Sequence, residues 1–295
     1  MNYKSQYIDA TSLPDAWFQT VYKCLESGRD FNIDRGSFAG TKRLEFDYIT
    51  IKIACPNATP RLPQIPAHYN IPNPVADDYV DDYLPYLMTG QVKEGESYTY
   101  GQRICAYPID SKIGTVYTNS KTDYDSLIIN VKNKHEILYQ DEFWNDPKIV
   151  FKNGAGAYCL NQMELLIWTY KNKGFRNNQM VLQIAHPTDM LLQDPPCLRS
   201  IDTRIQDGKL NFIVYFRSWD LWGGFPANLA GIQLMKEYIA SEIGVEDGSM
   251  IVASKGLHMY DYVWELAGII RGKTIQQFRE EMGTIGVAGS HMVTV

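Results

Sequence analysis

The residue pair Asp207-Gly208 separates two strand-like runs and predicts a tight β-hairpin in the carboxyl half of the chain. The first run covers residues 197–205, and the second covers residues 210–218. The second run ends in Arg217-Ser218, so the hairpin leads the chain directly to a cation and a hydroxyl. A sheet that contains this hairpin is the most strongly constrained part of the expected fold.

The remaining elements follow from hydrophobic periodicity and from breaking residues. Gly28 and Gly244 each stop a helix, and Pro85 is expected to end or kink another. The predicted helices cover residues 14–28, 77–88, 122–139, 158–171, 226–243 and 260–271, and further strands cover residues 46–54, 179–185 and 248–254. A Pro-rich segment over residues 56–74 is expected to form an ordered surface loop. No repeat or interdomain linker is visible, so the sequence predicts one α+β domain over residues 1–295.

Composition argues against several classes of function. The net charge of -6 gives no global attraction to nucleic acid or to an anionic membrane, so a phosphate must be held by a local basic site. No apolar run approaches the ~20 residues of a membrane span, and the amino terminus lacks a signal-peptide core. Five cysteines, without the spacing of a metal site, predict reduced thiols in a cytoplasmic protein. Four of them are expected to be small buried hydrophobic residues: Cys24, Cys55, Cys105 and Cys159.

One compact segment carries a thiol, a guanidinium, a carboxylate and a carboxamide. These groups belong to Cys197, Arg217, Asp220 and Asn228, with Ser218 and Gly224 between them. A thiol has a pKa near ~8.5 and needs a neighbouring cation to act as a nucleophile at neutral pH. Arg217 is such a cation, and its planar fork of donors also suits a phosphate. A packed cysteine and a surface ion pair are the structural alternatives, but together the residues predict that Cys197 attacks a phosphorylated substrate.

The order of these residues resembles the thymidylate synthase family. That family has its nucleophile in a Pro-Cys pair and a phosphate-binding Arg-Ser one strand later, followed by Asp, a Gly-containing turn, Asn and a His-x-Tyr. The matching residues here are Pro196-Cys197, Arg217-Ser218, Asp220, Gly224, Asn228 and His258-Met259-Tyr260. The resemblance implies the α+β thymidylate synthase fold, a mixed and largely antiparallel sheet flanked by helices. It also implies an obligate homodimer.

The resemblance implies folate-dependent one-carbon transfer to carbon 5 of a pyrimidine nucleoside 5'-monophosphate, with 5,10-methylenetetrahydrofolate as co-substrate. Cys197 would add to carbon 6 of the ring. Asn228 would bind O4 and N3 of the base, and relatives that hydroxymethylate cytosine nucleotides carry Asp here, so Asn favours uracil. Methylation of dUMP to dTMP is therefore the expected reaction. Hydroxymethylation of CMP, dCMP or dUMP is the alternative, and a catalytically inactive nucleotide-binding protein is a third hypothesis.

Further site residues are implied for the sugar hydroxyl, the 5'-phosphate, the folate and a catalytic water. His258 and Tyr260 would bind the sugar hydroxyl, and Arg35 would bind the 5'-phosphate. Asp220, Gly224 and Val295 would contact the folate, and Tyr100 would organise the catalytic water. Ordinary structural roles remain as alternatives: a packed core pair for His258 and Tyr260, a surface turn around Arg35, a solvated loop acid at Asp220 and a frayed terminus at Val295.

The chain also departs from the family at several positions. The Glu that organises proton transfer is represented only by Asp82 or its neighbour Asp81, and Pro85-Tyr86 occupy the region of a Trp. Asn178-Gln179 stand where the family has an Arg pair contributed by the partner subunit, and Leu198 replaces the His after the nucleophile. Nucleophilic addition is expected to be retained despite these departures. The alternatives concern the hydride step, which water attack would replace in a hydroxymethylase, and the preference for dUMP over the other nucleotides.

Overall fold

The computed structural model of the protein describes residues 2–34, 38–96, 98–109, 143, 145–154 and 156–272. These residues form helices together with mixed sheets, so the predicted α+β class is confirmed. The helix predicted over residues 122–139 lies outside the described residues. None of the helices within the described ranges combines the length and apolar character that a membrane span needs.

Helices and strands alternate irregularly along the described part of the chain. The α-helices are α1 (Leu13–Ser27), α2 (Tyr79–Met88), α3 (Tyr100–Cys105), α4 (Gln162–Lys173), α5 (Gly224–Ile243) and α6 (Trp264–Ile270). The strands are β1 (Ser5–Ala10), β2 (Arg29–Asn32), β3 (Lys42–Glu45), β4 (Tyr48–Ile53), β5 (Tyr107–Pro108), β6 (Val150–Lys152), β7 (Tyr158–Leu160), β8 (Val181–Gln183), β9 (Leu198–Gln206), β10 (Lys209–Phe216), β11 (Trp219–Asp220), β12 (Glu246–Ser254) and β13 (Leu257–Tyr260). Short 3-10 helices cover Ala67–Tyr69, Pro187–Leu191 and Asp261–Val263.

The chain divides into two compact units, each assembled from separate stretches of sequence. The first unit comprises residues 1–79, 215–230 and 249–295, and the second comprises residues 80–214 and 231–248. The boundaries fall inside α2, β10, α5 and β12 rather than in a linker. The expectation of one domain over residues 1–295 stays a prediction.

The first unit contains strands of two sheets. In one, β1 runs parallel to β4, and β12 pairs antiparallel with the other edge of β4. In the other, the strand order is β11-β13-β3-β2. Helix α1 begins after Ser12, whose side chain caps the first turn, and ends at Gly28 as predicted. Its buried side chains, which include Trp17 and Val21, pack towards β1, β3, β4 and β13.

The second unit contains the predicted hairpin. Strands β10, β9 and β8 are neighbours, and β8 is antiparallel to β9. Asp207 and Gly208 join β9 to β10 with φ angles of 53° and 73°, so the two-residue turn is confirmed. Helix α5 stops at Gly244, which has a φ of 84°, also as predicted. A smaller sheet has the order β5-β7-β6.

Two predicted helix boundaries are wrong. Tyr158–Leu160 forms β7, and α4 begins only after Asn161, whose side chain accepts the Glu164 N–H at 3.2 Å. Tyr260 ends β13, where it lies opposite Arg43 of β3, and a 3-10 turn separates it from α6. In both places, pairing with a distant strand outweighs the helical periodicity of a short apolar run.

Two other predictions concern single residues. Pro85 lies inside α2, and the helix continues to Met88, with the Thr89 N–H donating to the carbonyl oxygen of Pro85 at 3.1 Å. Cys55 is exposed, so the prediction that it is buried is wrong. It lies two residues after the end of β4, and its N–H donates to the Thr11 carbonyl oxygen at the start of the Pro-rich loop. The other three are buried as predicted: Cys24, Cys105 and Cys159. No disulfide joins the five cysteines, all of which lie among the described residues.

Candidate active site

The predicted nucleophile Cys197 lies in the second unit, between Pro195-Pro196 and the first residue of β9, and is half-buried. The backbone N–H of the next residue, Leu198, donates to Oη of Tyr100 at 3.3 Å. Tyr100 begins α3 and is 98 positions away from Leu198 in the sequence. The structure therefore brings the predicted residue Tyr100 to the segment that carries the predicted nucleophile.

Helix α3 approaches the end of α2 so closely that Gly101 has no room for a side chain. A Cβ at this position would lie 2.3 Å from the Thr89 carbonyl oxygen and 2.4 Å from that of Tyr86. Thr99 caps α3 by accepting the Gln102 N–H at 2.8 Å, which fixes where the helix begins. The Tyr-Gly pair thus places the Tyr100 hydroxyl by means of a close backbone contact.

Two further tyrosines lie near this hydroxyl. The ring of Tyr86 meets that of Tyr100 edge to face at 6.1 Å between centroids. Burial, with smaller contributions from the charges of Asp194 and Cys197, raises the pKa of Tyr98 to about 12. Burial likewise raises the pKa of Tyr100, so both hydroxyls keep their protons at neutral pH and can donate them in hydrogen bonds.

The loop before Cys197 is held by a buried carboxylate between two arginines. Oδ1 of Asp189 lies 2.8 Å from Nη1 of Arg103, and Oδ2 lies 2.9 Å from Nη1 of Arg199. Burial alone would raise the pKa of Asp189, but a hydrogen bond from the His186 N–H and the two guanidinium groups bring it below its ordinary value. Arg199 also donates to the Pro196 carbonyl oxygen at 3.3 Å. A net positive cluster therefore adjoins the Pro-Cys peptide.

Sequence reasoning missed this cluster. Arg103 lies three residues after Tyr100, which puts both on adjacent positions of one helix face and was a usable signal. Nothing local in the sequence marked Asp189 or Arg199, because their pairing joins a 3-10 turn to a strand. Asp82, predicted for proton transfer, lies exposed in the first turn of α2, as does Asp81. That role stays a prediction.

The predicted phosphate and folate residues lie in the first unit. Arg217 and Ser218 follow β10 and are half-buried. Asp220 then organises the turn before α5: Oδ2 accepts the N–H groups of Gly223 and Gly224 at 3.0 and 2.8 Å, and Oδ1 accepts that of Trp222 at 3.3 Å. This carboxylate is therefore tied to backbone rather than freely solvated, and its predicted contact with folate stays a prediction.

Asn228, the predicted reader of the base, lies in the second turn of α5 and is half-buried. Its Oδ1 accepts a hydrogen bond from Nε1 of Trp219 at 2.9 Å. Trp219 was not identified from the sequence, although it lies between the two predicted residues Ser218 and Asp220. The amide of Asn228 is therefore oriented by the side chain of a residue nine positions earlier in the sequence.

His258 and Tyr260 lie together on β13, with their rings perpendicular at 4.8 Å between centroids. Nδ1 of His258 bonds to the Gly256 carbonyl oxygen at 2.8 Å, so Nδ1 carries the proton and Nε2 is an acceptor. Burial lowers the pKa of His258 below its ordinary value, which favours this neutral ring. Among the described residues, the buried Nε2 atom has no hydrogen-bond partner. A donor such as a sugar hydroxyl fits that vacant acceptor.

Two predicted site residues, Arg35 and Val295, lie outside the described residues. Their roles at the phosphate and at the folate stay predictions.

Comparison with known proteins identifies the family of this chain. The family model described as Thymidylate synthase matches residues 101–282, more than half of the chain. A putative thymidylate synthase of Methanosarcina acetivorans is 25% identical over 266 residues, covering 90% of this chain and 94% of the relative. One from Methanosarcina mazei gives the same values, and one from Methanocaldococcus jannaschii is 25% identical over 201 residues, covering 68% and 70%. The chain therefore belongs to the thymidylate synthase family.

Proposed function

We propose that the protein transfers a one-carbon unit from 5,10-methylenetetrahydrofolate to carbon 5 of a pyrimidine nucleoside 5'-monophosphate, and that the reaction is methylation of dUMP to dTMP. The observation that carries the proposal is the hydrogen bond between Tyr100 and the N–H next to Cys197. It gives the half-buried thiol a fixed backbone and a protonated hydroxyl in its neighbourhood. Such an arrangement suits a nucleophile whose adduct must gain and lose a proton.

In the proposed reaction, Sγ of Cys197 bonds to carbon 6 of the pyrimidine, and the electron pair of the 5,6 double bond forms the new carbon–carbon bond at carbon 5. As this bond forms, the methylene carbon separates from the first of the two folate nitrogens that hold it. A proton then leaves carbon 5, with Tyr100 organising the water that receives it and Asp82 as the candidate for assisting the transfer. The bond from the methylene carbon to the second folate nitrogen breaks in the same step, which leaves an exocyclic methylene on carbon 5 and tetrahydrofolate. Hydride transfer from tetrahydrofolate reduces the bound methylene to methyl and leaves dihydrofolate. The thiolate departs as the 5,6 double bond returns.

Residues that follow β10, together with residues of α5 and β13, supply the proposed contacts to the nucleotide. Arg217 and Ser218 bind the phosphate, because a guanidinium fork with an adjacent hydroxyl suits its oxygens. Nε2 of His258 accepts a sugar hydroxyl, and Tyr260 bonds the same part of the sugar. Support for this comes from the vacant, buried Nε2 atom described above. Asn228 reads the base through its amide.

The folate contacts of Asp220, Gly224 and Val295 and the phosphate contact of Arg35 belong to the same proposal. Gly224 suits this role because a Cβ there would lie 3.3 Å from Cβ of Asp220, so a larger residue would disturb the turn. The reduced thiols favour a cytoplasmic location.

A hydroxymethylase is the second candidate function, and the structure of α2 favours it. Pro85 and Tyr86 replace the region of the family's Trp, and Tyr86 packs against Tyr100. A changed wall near the bound methylene unit would let water, rather than hydride, attack that unit. The product from CMP, dCMP or dUMP would then carry a hydroxymethyl group. A nucleotide-binding protein without catalysis is the third candidate, and the presence of Cys197 argues against it.

The test measures tritium release from carbon-5-labelled UMP, dUMP, CMP and dCMP with methylenetetrahydrofolate, followed by mass analysis of the product. We expect release from dUMP and a product heavier by one CH2 unit, because a methyl group replaces the hydrogen at carbon 5. A hydroxymethyl mass would establish the second candidate, and the absence of release from all four would leave only the third.

Replacing Cys197 tests the covalent step. We predict that Cys197→Ser lowers tritium release by orders of magnitude while nucleotide binding is retained, because a serine hydroxyl is far less nucleophilic at neutral pH. The exposed Cys55 offers a matched control, and Cys55→Ser is expected to leave release unchanged. A covalent complex of Cys197→Ser with 5-fluoro-dUMP and the folate would show that another residue is the nucleophile.

A further inference from the structure

Trp219 is held rigidly beside the base-reading residue by two aromatic neighbours. Its ring stacks on Phe216 with centroids 3.9 Å apart and planes 4° apart, and it packs on Phe225 at 4.6 Å and 33°. The residue is 3% exposed. Because the indole has no room to turn, the direction of its N–H is fixed by the packing.

That N–H donates to Oδ1 of Asn228 at 2.9 Å. An indole nitrogen is only a donor, whereas the two ends of an Asn amide are an acceptor and a double donor. If the amide of Asn228 turned over, its NH2 group would face the N–H of Trp219, and two donors would meet without an acceptor. A buried donor left in this way is strongly disfavoured, so the amide has one stable orientation.

We propose that Trp219 is a specificity-determining residue that locks the Asn228 amide in the orientation that accepts a uracil nucleotide and rejects a cytosine nucleotide. The inference rests on the proposed function, in which Asn228 reads the base. Uracil presents an acceptor at O4 and a donor at N3, and cytosine presents the reverse pattern at these two positions. An amide that reads both bases must turn over between them.

The locked orientation still reads uracil fully. Oδ1 of Asn228 accepts the Trp219 N–H, and because an amide oxygen carries two lone pairs, the same atom can also accept the N3–H of uracil. Nδ2 then donates to O4. For cytosine, Nδ2 would face the amino group at carbon 4, and Oδ1 would face the unprotonated N3. A donor would then face a donor in the first contact, and an acceptor would face an acceptor in the second. Only release of the amide from Trp219 removes the mismatch.

The test uses Trp219→Phe, which removes the donor and keeps an aromatic ring between Phe216 and Phe225. The affinities of dUMP and dCMP are measured by titration calorimetry on the full chain without folate, and tritium release from both nucleotides is measured with it. We expect the preference for uracil over cytosine to fall about tenfold, because the variant loses the free energy that one buried hydrogen bond contributes to discrimination between the two bases. Most of the change should be a gain for dCMP.

The matched control is Trp264→Phe. Trp264 is also buried in the first unit, and its indole N–H donates to the Met259 carbonyl oxygen at 2.9 Å, so this variant loses an equivalent hydrogen bond without touching Asn228. It is expected to keep the ratio of the two affinities. Replacement of Trp219 by 3-benzothienylalanine, which keeps the bicyclic shape and puts sulfur in place of the N–H, gives the same test if Trp219→Phe does not fold.

An unchanged uracil-to-cytosine ratio in the Trp219 variants, with tritium release from dUMP intact in the natural protein, would overturn the lock and leave the proposed function standing. A natural protein that prefers dCMP would overturn the lock as well. Release from neither nucleotide in the natural protein would overturn the proposed function itself.

Discussion

The predicted site residues are oriented in different ways, some by backbone groups and some by other side chains. Asp220 is fixed by three N–H groups of its own turn, whereas Asn228 depends on the indole of Trp219 for its orientation. Sequence reasoning identified both residues, because their types and spacing are informative. It did not identify what orients them, since an indole donor becomes meaningful only when its acceptor is known.

Base choice provides a test at the residue scale. We predict that Asn228→Asp moves the preference from uracil towards a cytosine nucleotide, because an ionised carboxylate offers only acceptors and cytosine has a donor at carbon 4. A mismatched buried hydrogen bond costs about 1–3 kcal/mol, so relative kcat/KM for the two bases should change at least about tenfold. The Trp219 N–H can still donate to the carboxylate, so the variant should fold.

The control for this variant is Asn70→Asp, the same change at an exposed turn position with a φ of 53° that Asp tolerates. It should leave the preference between bases unaltered. An Asn228→Asp protein that keeps the original preference would remove Asn228 from the base-reading role.

At the scale of elements, the hairpin, α1 and α5 were predictable because turn chemistry and breaking glycines are local signals. The short strands β2 and β3 were not predicted from the sequence, and neither was β1, which runs parallel to β4 and has no hairpin turn beside it as a local signal. Likewise, residues 158–160 resembled the start of a helix until their pairing partners were known. Strands this short are defined by what lies beside them rather than by their own composition.

The contact between α2 and α3 makes a strong prediction for Gly101. We expect Gly101→Ala to lower the free energy of unfolding by several kcal/mol, because the added Cβ would lie 2.3 Å from a carbonyl oxygen and the helices must separate. The displaced Tyr100 should also lower tritium release more than the stability loss alone explains. Urea unfolding and release assays at a temperature where the variant is folded measure the two effects.

Gly154 is the matched control, since a Cβ there meets nothing within 4 Å. Gly154→Ala should change stability by less than about 1 kcal/mol. Equal stability of the two variants would mean that α3 can move away from α2 freely.

A buried ion pair in the second unit predicts a pH dependence of stability. Nζ of Lys236 is fully buried in α5, lies 3.4 Å from Oδ1 of Asp247 and donates to the Gly248 carbonyl oxygen. Burial lowers the pKa of Lys236 from 10.5 to about 8, with the charge of Asp247 opposing the shift. Between these two pH values, the unfolded chain binds more protons than the native protein, so this lysine makes stability rise with pH there.

We predict that the free energy of unfolding of the natural protein, relative to Lys236→Met, increases by about 1 to 3 kcal/mol as the pH rises from 8 to 10.5. Urea unfolding of both proteins across this range measures the difference and cancels other titrating groups. The exposed pair Lys209–Glu246 provides the control, and Lys209→Met should show no such trend. A flat difference for Lys236→Met would mean that the lysine is hydrated in the native protein.

At the scale of the whole molecule, the sequence predicted the fold class through its family resemblance but gave no sign of two compact units. The reason is physical: the unit boundaries lie inside regular elements, so no linker composition marks them. The same resemblance predicts a homodimer, and light scattering of the purified protein should give twice the mass of one chain. A monomer at micromolar concentration would contradict that prediction.

The interleaved order of the two units constrains how the chain is made. Strand β4 ends at Ile53, yet its antiparallel neighbour β12 begins at Glu246, so the first unit stays incomplete until residues 246–254 have been translated. The intervening residues 80–214 emerge from the ribosome before that partner exists. During this time one edge of β4 is open to incorrect pairing by a nascent chain. A chain truncated before β12 has no means of closing it.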